Sequence, residues 1–203
     1  MATLKLGTTT AITESSGALT IASSTLTTPT IASMANCTFP AGHVVNVQSV
    51  VFQGTQSLDT EAWTIVGTGQ TGALTITTAT PKSSSSKFYI SCTIGMVGGS
   101  NSTAFRIYRG GSHVTALSGT PNSSRIGVAV RTVKNWNADV NHHPSTAFSY
   151  VDSPASASAS VYSIQILNQP SLTTLINVHA GSDDNAESYT SRTSCSLTVM
   201  EIA

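Results

Sequence analysis

Residues 87–99 read KFYISCTIGMVGG, with apolar side chains at every second position. Phe88, Ile90, Cys92, Ile94 and Met96 share one face, and Tyr89, Ser91, Thr93 and Gly95 share the other. A period of two predicts a strand with one face buried. The same pattern recurs along the chain. Residues 44–52 and 74–78 are apolar and β-branched. Phe105 and Ile107 alternate with Arg106 and Tyr108, and Ile126, Val128 and Val130 alternate with Gly127, Ala129 and Arg131. Tyr162, Ile164 and Ile166, then Ile176 and Val178, then Cys195, Leu197 and Val199 continue the series. Turn-forming clusters such as GGSNS, SGTPNSS, DSPASAS, NQPS and GSDDN separate these segments. No window shows a capped helical period. Short strands with turns at regular spacing predict an all-β sandwich, jelly roll or barrel over residues 43–203.

Residues 1–42 follow a different rule. GALTIASSTLTTPTIASM, residues 17–34, is made of hydroxyls and small aliphatics. A strand-like segment of this kind buries too little surface to offset its own chain entropy. Identical copies packed about an axis would let Leu19, Ile21, Leu26 and Ile31 share a thin core. The expected form is an N-terminal arm or short β shaft ending near Phe39-Pro40-Ala41-Gly42.

Composition narrows the functional classes. The 203 residues carry nine basic and nine acidic side chains, so charged residues are only 9% of the chain, against about 25% in an ordinary domain. Ser and Thr make up about thirty per cent. A neutral chain lacks the basic footprint of a nucleic-acid binder. No apolar run reaches membrane-spanning length, and MATLKLGTTT has no apolar core of a signal peptide. Cys37, Cys92 and Cys195 are odd in number and widely spaced, and are expected to be small buried hydrophobes.

Catalytic and metal chemistry finds little support. No GxSxG elbow is present, and no acid pair stands out as a glycosidase couple, although Asp152 and Glu201 are candidates to be neighbours in space. Adjacent His142 and His143 point to opposite sides of an extended chain and make no chelate alone; a threefold axis would bring three copies together. Asp183, Asp184 and Asn185 lie in a polar turn whose spacing departs from a calcium loop. No enzyme, metal or cofactor is expected.

SGALTI, TLTTPTIASM and FPAGHVV, followed by SSSSKFYISCTIGMVGGSNSTAFRIYRGG, FSYVDSPASASASVYSIQIL and TSCSLTVMEIA, resemble the segments that precede and form the C-terminal knobs of tail-fibre and virion-fibre proteins of tailed bacteriophages, cyanophages among them. The resemblance implies an antiparallel jelly-roll sandwich like that of tumour necrosis factor and complement globular heads, a homotrimer, and a place in the virion. Residues 1–42 would then hold other virion proteins, and the knob at residues 43–203 would attach to a host-surface polysaccharide or protein. A head or collar fibre, or a capsid decoration protein with a purely structural role, is the alternative. Neither nucleic acid nor membrane insertion enters this reading.

If successive strands alternate in direction, residues 181–193, 152–160 and 118–125 share the tip far from the arm. That places candidate receptor-binding residues Asn122, Arg125, Asp183, Asp184, Asn185 and Tyr189 together, with Trp136 nearer the base or flank. Tyr108, Tyr150 and Tyr162 are candidate trimer-interface aromatics.

Overall fold

The computed structural model describes residues 3–6, 9–15, 18–21, 41–99, 102–133, 142–168, 173–178 and 192–203, with backbone alone for residues 3–21 and 142–143. The chain divides into two compact units, Met1–Thr38 and Phe39–Ala203. In the first, β1 (Thr3–Leu6), β2 (Thr9–Ser15) and β3 (Ala18–Ile21) form an antiparallel meander with β2 in the middle. Ile12 stands opposite both Leu4 and Ile21, and the sequence supplies a glycine at each connection, Gly7 and Gly17. The unit thus begins as three short strands rather than one extended run. Of residues 17–34, only Ala18–Ile21 is a described strand.

The second unit contains β4 (Val44–Phe52), β5 (Gln56–Leu58), β6 (Trp63–Ile65), β7 (Thr75–Thr77), β8 (Lys87–Ile94), β9 (Val97–Gly98), β10 (Ser102–Arg109), β11 (Ser112–His113), β12 (Val130–Val133), β13 (His142–His143), β14 (Thr146–Asp152), β15 (Val161–Leu167), β16 (Thr174–Ile176) and β17 (Cys195–Ile202), with one 3-10 turn at Thr115–Leu117. Among the described residues there is no α-helix and no helix long and apolar enough to cross a membrane. The sheets are antiparallel throughout, the arrangement of an all-β sandwich. One reads β14-β8-β17-β4. The second reads β11-β10-β15-β6, with β12 also on β10 and β7 also on β15. A small third reads β13-β9-β16-β5.

Alternation decides which residues meet. Phe88, Ile90, Cys92 and Ile94 of β8 and Cys195, Leu197 and Val199 of β17 turn inward and are buried. From the second sheet, Phe105 and Ile107 of β10 and Tyr162, Ile164 and Ile166 of β15 join the same core. Burying each such side chain contributes about 1.5–3 kcal/mol relative to exposure. Phe88 and Tyr162 touch across the two sheets, with ring centroids 5.7 Å apart.

Two predicted strands are shorter than their patterns. β8 stops at Ile94, after which Gly95 N donates to Cys195 Sγ at 3.3 Å and Met96 N to Thr193 Oγ1 at 2.7 Å, side-chain acceptors in place of a strand ladder. The alternation from Ile126 becomes strand only at Val130. The preceding residues are folded into a loop: Gly119 N donates to Val128 O, and Asn122 and Arg125 bond to each other around a tight turn with Ser123 at φ +53°. Ile126 is 46% exposed there.

Gly42 N donates to Ala203 O and Ala203 N to His43 O, so entry and C-terminus meet at one end of the second unit. The compact unit that contains this end runs from Phe39 to Ala203. Asp152 and Glu201 both pair with Phe88, which puts Asp152 at this entry end. The residues after it consequently lie opposite the Cys195 end and do not share the tip. The parity count misplaced them because a third sheet interrupts strict alternation.

Candidate functional site

The outward face of the second sheet carries the polar half of its strands. Trp63, Leu167, Ala104 and Arg131 form one row through β6, β15, β10 and β12, and Ile65, Gln165 and Arg106 form the next. The first row spans three strand spacings, about 14 Å. Residues 114–129 leave β11 at the entry end and fold back across this face. Between loop and sheet lie two cavities. One, of about 770 Å³, is lined by Glu61, Trp63, Ser102, Arg125, Arg131 and Leu167, among others. The other, of about 480 Å³, is lined by Arg106, His113, Ser118, Pro121 and Arg125, among others. Trp63, Arg125 and Ile126 border both, so the two adjoin as one trough. Each volume lies in the range of small-molecule sites, about 300–1,000 Å³.

The trough is rich in guanidinium groups. Three of the chain's five arginines, Arg106, Arg125 and Arg131, line it, with Glu61 as the single acid among the described residues. Arg106 Cζ stacks 4.0 Å from the Trp63 ring centroid and 5.4 Å from that of Tyr108, while Nε donates to Gln165 Oε1 at 2.8 Å. Its plane is thereby fixed. Arg131 Nη1 donates to Ser102 Oγ at 3.0 Å. Burial lowers the pKa of Arg106, with Tyr108 acting in the opposite direction. Burial and the Arg106 charge hold His113 below the usual histidine value, and its Nε2 shares a 2.8 Å hydrogen bond with Ser118 Oγ.

Asn122 and Arg125 of the expected binding set belong to the loop over this flank. Asp183, Asp184, Asn185, Tyr189 and Trp136 lie outside the described residues. Trp63, Arg106 and Arg131 were not singled out from sequence. The available signal was a charged Arg106 at a mid-strand polar position in a chain with few charges.

Of the three tyrosines expected at a trimer interface, Tyr162 is placed otherwise, while Tyr108 and Tyr150 keep part of their surface exposed. Tyr162 is fully buried in the single chain, against Phe88, and its hydroxyl donates to Asp152 Oδ2 at 2.7 Å. Burial, then the Asp152 hydrogen bond, pushes its phenol well above the usual range. A residue with no exposed surface inside one subunit cannot line an interface between subunits. Tyr150 packs partly buried against the core. Tyr108 stacks with Arg106 and donates to Gly111 O.

Asp152 and Glu201 flank Phe88 on either side, both buried. Arg109 forms an ion pair with Asp152, and Glu201 Oε1 accepts from Lys82 N at 2.6 Å and Ser86 Oγ at 2.8 Å. These carboxylates tie strands and loops together. Cys92 and Cys195 are buried free thiols; Cys37 lies outside the described residues. Among the described residues no three metal-ligating side chains converge.

The first sheet's outer face is of opposite character. Val47, Met200, Tyr89 and Val151 form one row across its four strands. Ser49, Thr198, Ser91 and Ser149 form the next, then Val51, Ser196, Thr93 and Ala147. Val44, Val47, Val51 and Val151 are 44–56% exposed, and none of these three rows contains a charge. No protein-family model matches this chain, and no curated protein matches it.

Proposed function

We propose that this chain is a short virion fibre protein of a tailed bacteriophage, a homotrimer whose knob attaches to the host surface through the trough and whose residues 1–42 hold other virion proteins. The observation that carries this reading is the contrast between the two outer faces. One sets exposed valines, Met200 and Tyr89 among Ser and Thr hydroxyls, with Lys87 in the edge row beside Ile202, and is suited to copies of itself. The other is concave and arginine-lined, suited to a ligand.

Strand pairing supports a jelly-roll knob. With β4, β6 and β7 together, β8, β10, β12, β14, β15 and β17 lettered A to H, the pairs are A with H, B with G, C with F and D with E. Such pairing arises when one long hairpin of eight segments wraps over a core. The resemblance of KFYISCTIGMVGG, FRIYRGG and LTVMEI to phage fibre knobs points the same way. The Val47–Met200–Tyr89–Val151 face is offered as the interface of the proposed trimer, with Tyr162, which is fully buried in one subunit, left out of it.

The test compares binding of the full chain, and of the chain lacking residues 1–42, to cells of candidate hosts. Binding by both forms, competed by host surface polysaccharide, is the expected result. Failure of both to bind any host, with the full chain still attaching to stripped virions, overturns attachment in favour of a head, collar or decoration protein.

A further inference from the structure

We propose that the trough recognises an acidic saccharide, a sugar chain bearing carboxylates, with Arg106, Arg125 and Arg131 as its anion-reading groups and Trp63 as its apolar floor. This rests on the attachment reading above and names the chemistry of that site.

The cationic groups are assembled and uncompensated. In a chain whose charges balance, three of five arginines share one concavity with a single acid among the described residues. No ion pair joins Arg106, Arg125 or Arg131 to a carboxylate among the described residues; the ion pair seen there uses Arg109. Arg106 commits Nε to Gln165, which leaves its two terminal nitrogens without a hydrogen-bond partner among the described residues. Its stacking on Trp63 holds that fork in place before any ligand arrives. Arg131 stands opposite Ala104 on the same outward face, diagonal to Arg106, so the two backbones are about 7–8 Å apart. Arg125 reaches in from the loop. Planar forks at fixed spacing match carboxylates, which they bind in bidentate fashion.

The surroundings select a sugar among anions. Two adjoining cavities of about 770 and 480 Å³ exceed what an inorganic anion fills. Trp63 borders both and offers apolar surface to the C–H face of a pyranose. Glu61, Ser102, Ser118 and Ser124 supply the hydroxyl-matching rim. A nucleic acid would require a longer basic track than this neutral chain provides.

The experiment titrates the full chain with oligogalacturonate, sialyllactose and a heparin-derived oligosaccharide, each beside its neutral or desulfated counterpart, and with inorganic phosphate. The expected result is at least tenfold tighter binding of a carboxylated probe than of its neutral counterpart, weakened by salt. The double variant R125Q/R131Q, at two exposed positions, should lose at least tenfold while keeping its melting temperature; R125K, which keeps the charge but loses the planar fork, should recover only part of the affinity that R125Q loses. Equal binding of acidic and neutral sugars, affinity unchanged in R125Q/R131Q, selection of the heparin-derived probe alone, or phosphate competing as well as the sugar overturns the proposal. Host-cell binding separates the two readings. If cells are bound and R125Q/R131Q binds them equally, the acidic-saccharide assignment fails and attachment stands. If no cells are bound but the carboxylated probe is, attachment fails and the site stands.

Discussion

A single carboxylate in the Val47–Met200–Tyr89–Val151 row should dissolve the proposed trimer. Val47 sits at 56% exposure in the row it shares with Met200, Tyr89 and Val151. Fully burying a valine contributes about 1.5–3 kcal/mol, so covering the exposed half of one contributes about 1 kcal/mol. Val44, Val47, Val51 and Val151 together supply about 4 kcal/mol per subunit, or about 12 kcal/mol for three. The two association steps of a trimer cost about 8–30 kcal/mol together in lost rigid-body freedom, so the valines meet only the low end of that cost and Met200, Tyr89 and Ile202 must add theirs. V47D puts an unpaired carboxylate into each of three buried copies, and each costs several kcal/mol. Three such penalties are comparable to the whole valine contribution. Sedimentation equilibrium at micromolar concentration should give three times 20.9 kDa for the parent chain and 20.9 kDa for V47D, with unchanged far-ultraviolet circular dichroism. V47T, nearly isosteric and uncharged, should remain trimeric with weaker association. A parent chain that sediments at 20.9 kDa throughout, or a V47D variant that stays trimeric, refutes the reasoning.

Asn177 should be a stability hot spot: at φ +63° and fully buried, its Nδ2 donates to Phe52 O at 3.0 Å and Gly54 O at 2.9 Å. N177A should cost about 3 kcal/mol or more, from two orphaned carbonyls and a left-handed alanine, and a chemical-denaturation loss below about 1 kcal/mol would contradict this. Stability should also fall on the alkaline side. Burial pushes the Cys195 thiol up to about 11 from an ordinary value of 9.0, opposed by the Gly95 N–H, and raises Cys92 as well. Unfolded thiols release protons near pH 9 while the folded ones retain them, so this contribution is full below pH 9 and is lost as pH rises toward 11, at about 1.4 kcal/mol per pH unit for each thiol. C195A should reduce that slope in denaturation curves between pH 9 and 10; an unaltered slope would count against it. Tyr162→Phe should destabilise the subunit by about 1.5–3 kcal/mol through loss of the Asp152 hydrogen bond while leaving sedimentation mass unchanged; a change of mass without loss of stability would return Tyr162 to the interface.

The sequence by itself determined the strands and their inward faces. Phe88, Ile90 and Cys92, Tyr162, Ile164 and Ile166, and Cys195, Leu197 and Val199 alternate strictly, and a period of two has one outcome when one face must leave water. Burial of Cys92 and Cys195 followed from the same alternation. Tertiary structure alone decided which polar faces meet which neighbours. Ile126 and Val128 continue the β pattern, yet the tight turn at Ser123 and the Gly119–Val128 bond hold them in a loop over Arg106. Trp63 and Arg106 are 43 residues apart in sequence but stack at 4.0 Å because β15 lies between their strands. Asp152 and Glu201 became neighbours of Phe88 only through the pairing of β14, β8 and β17. Local pattern fixes which side of a strand is dry. Partners across strands depend on long-range pairing, which the spacing of residues along one chain does not encode.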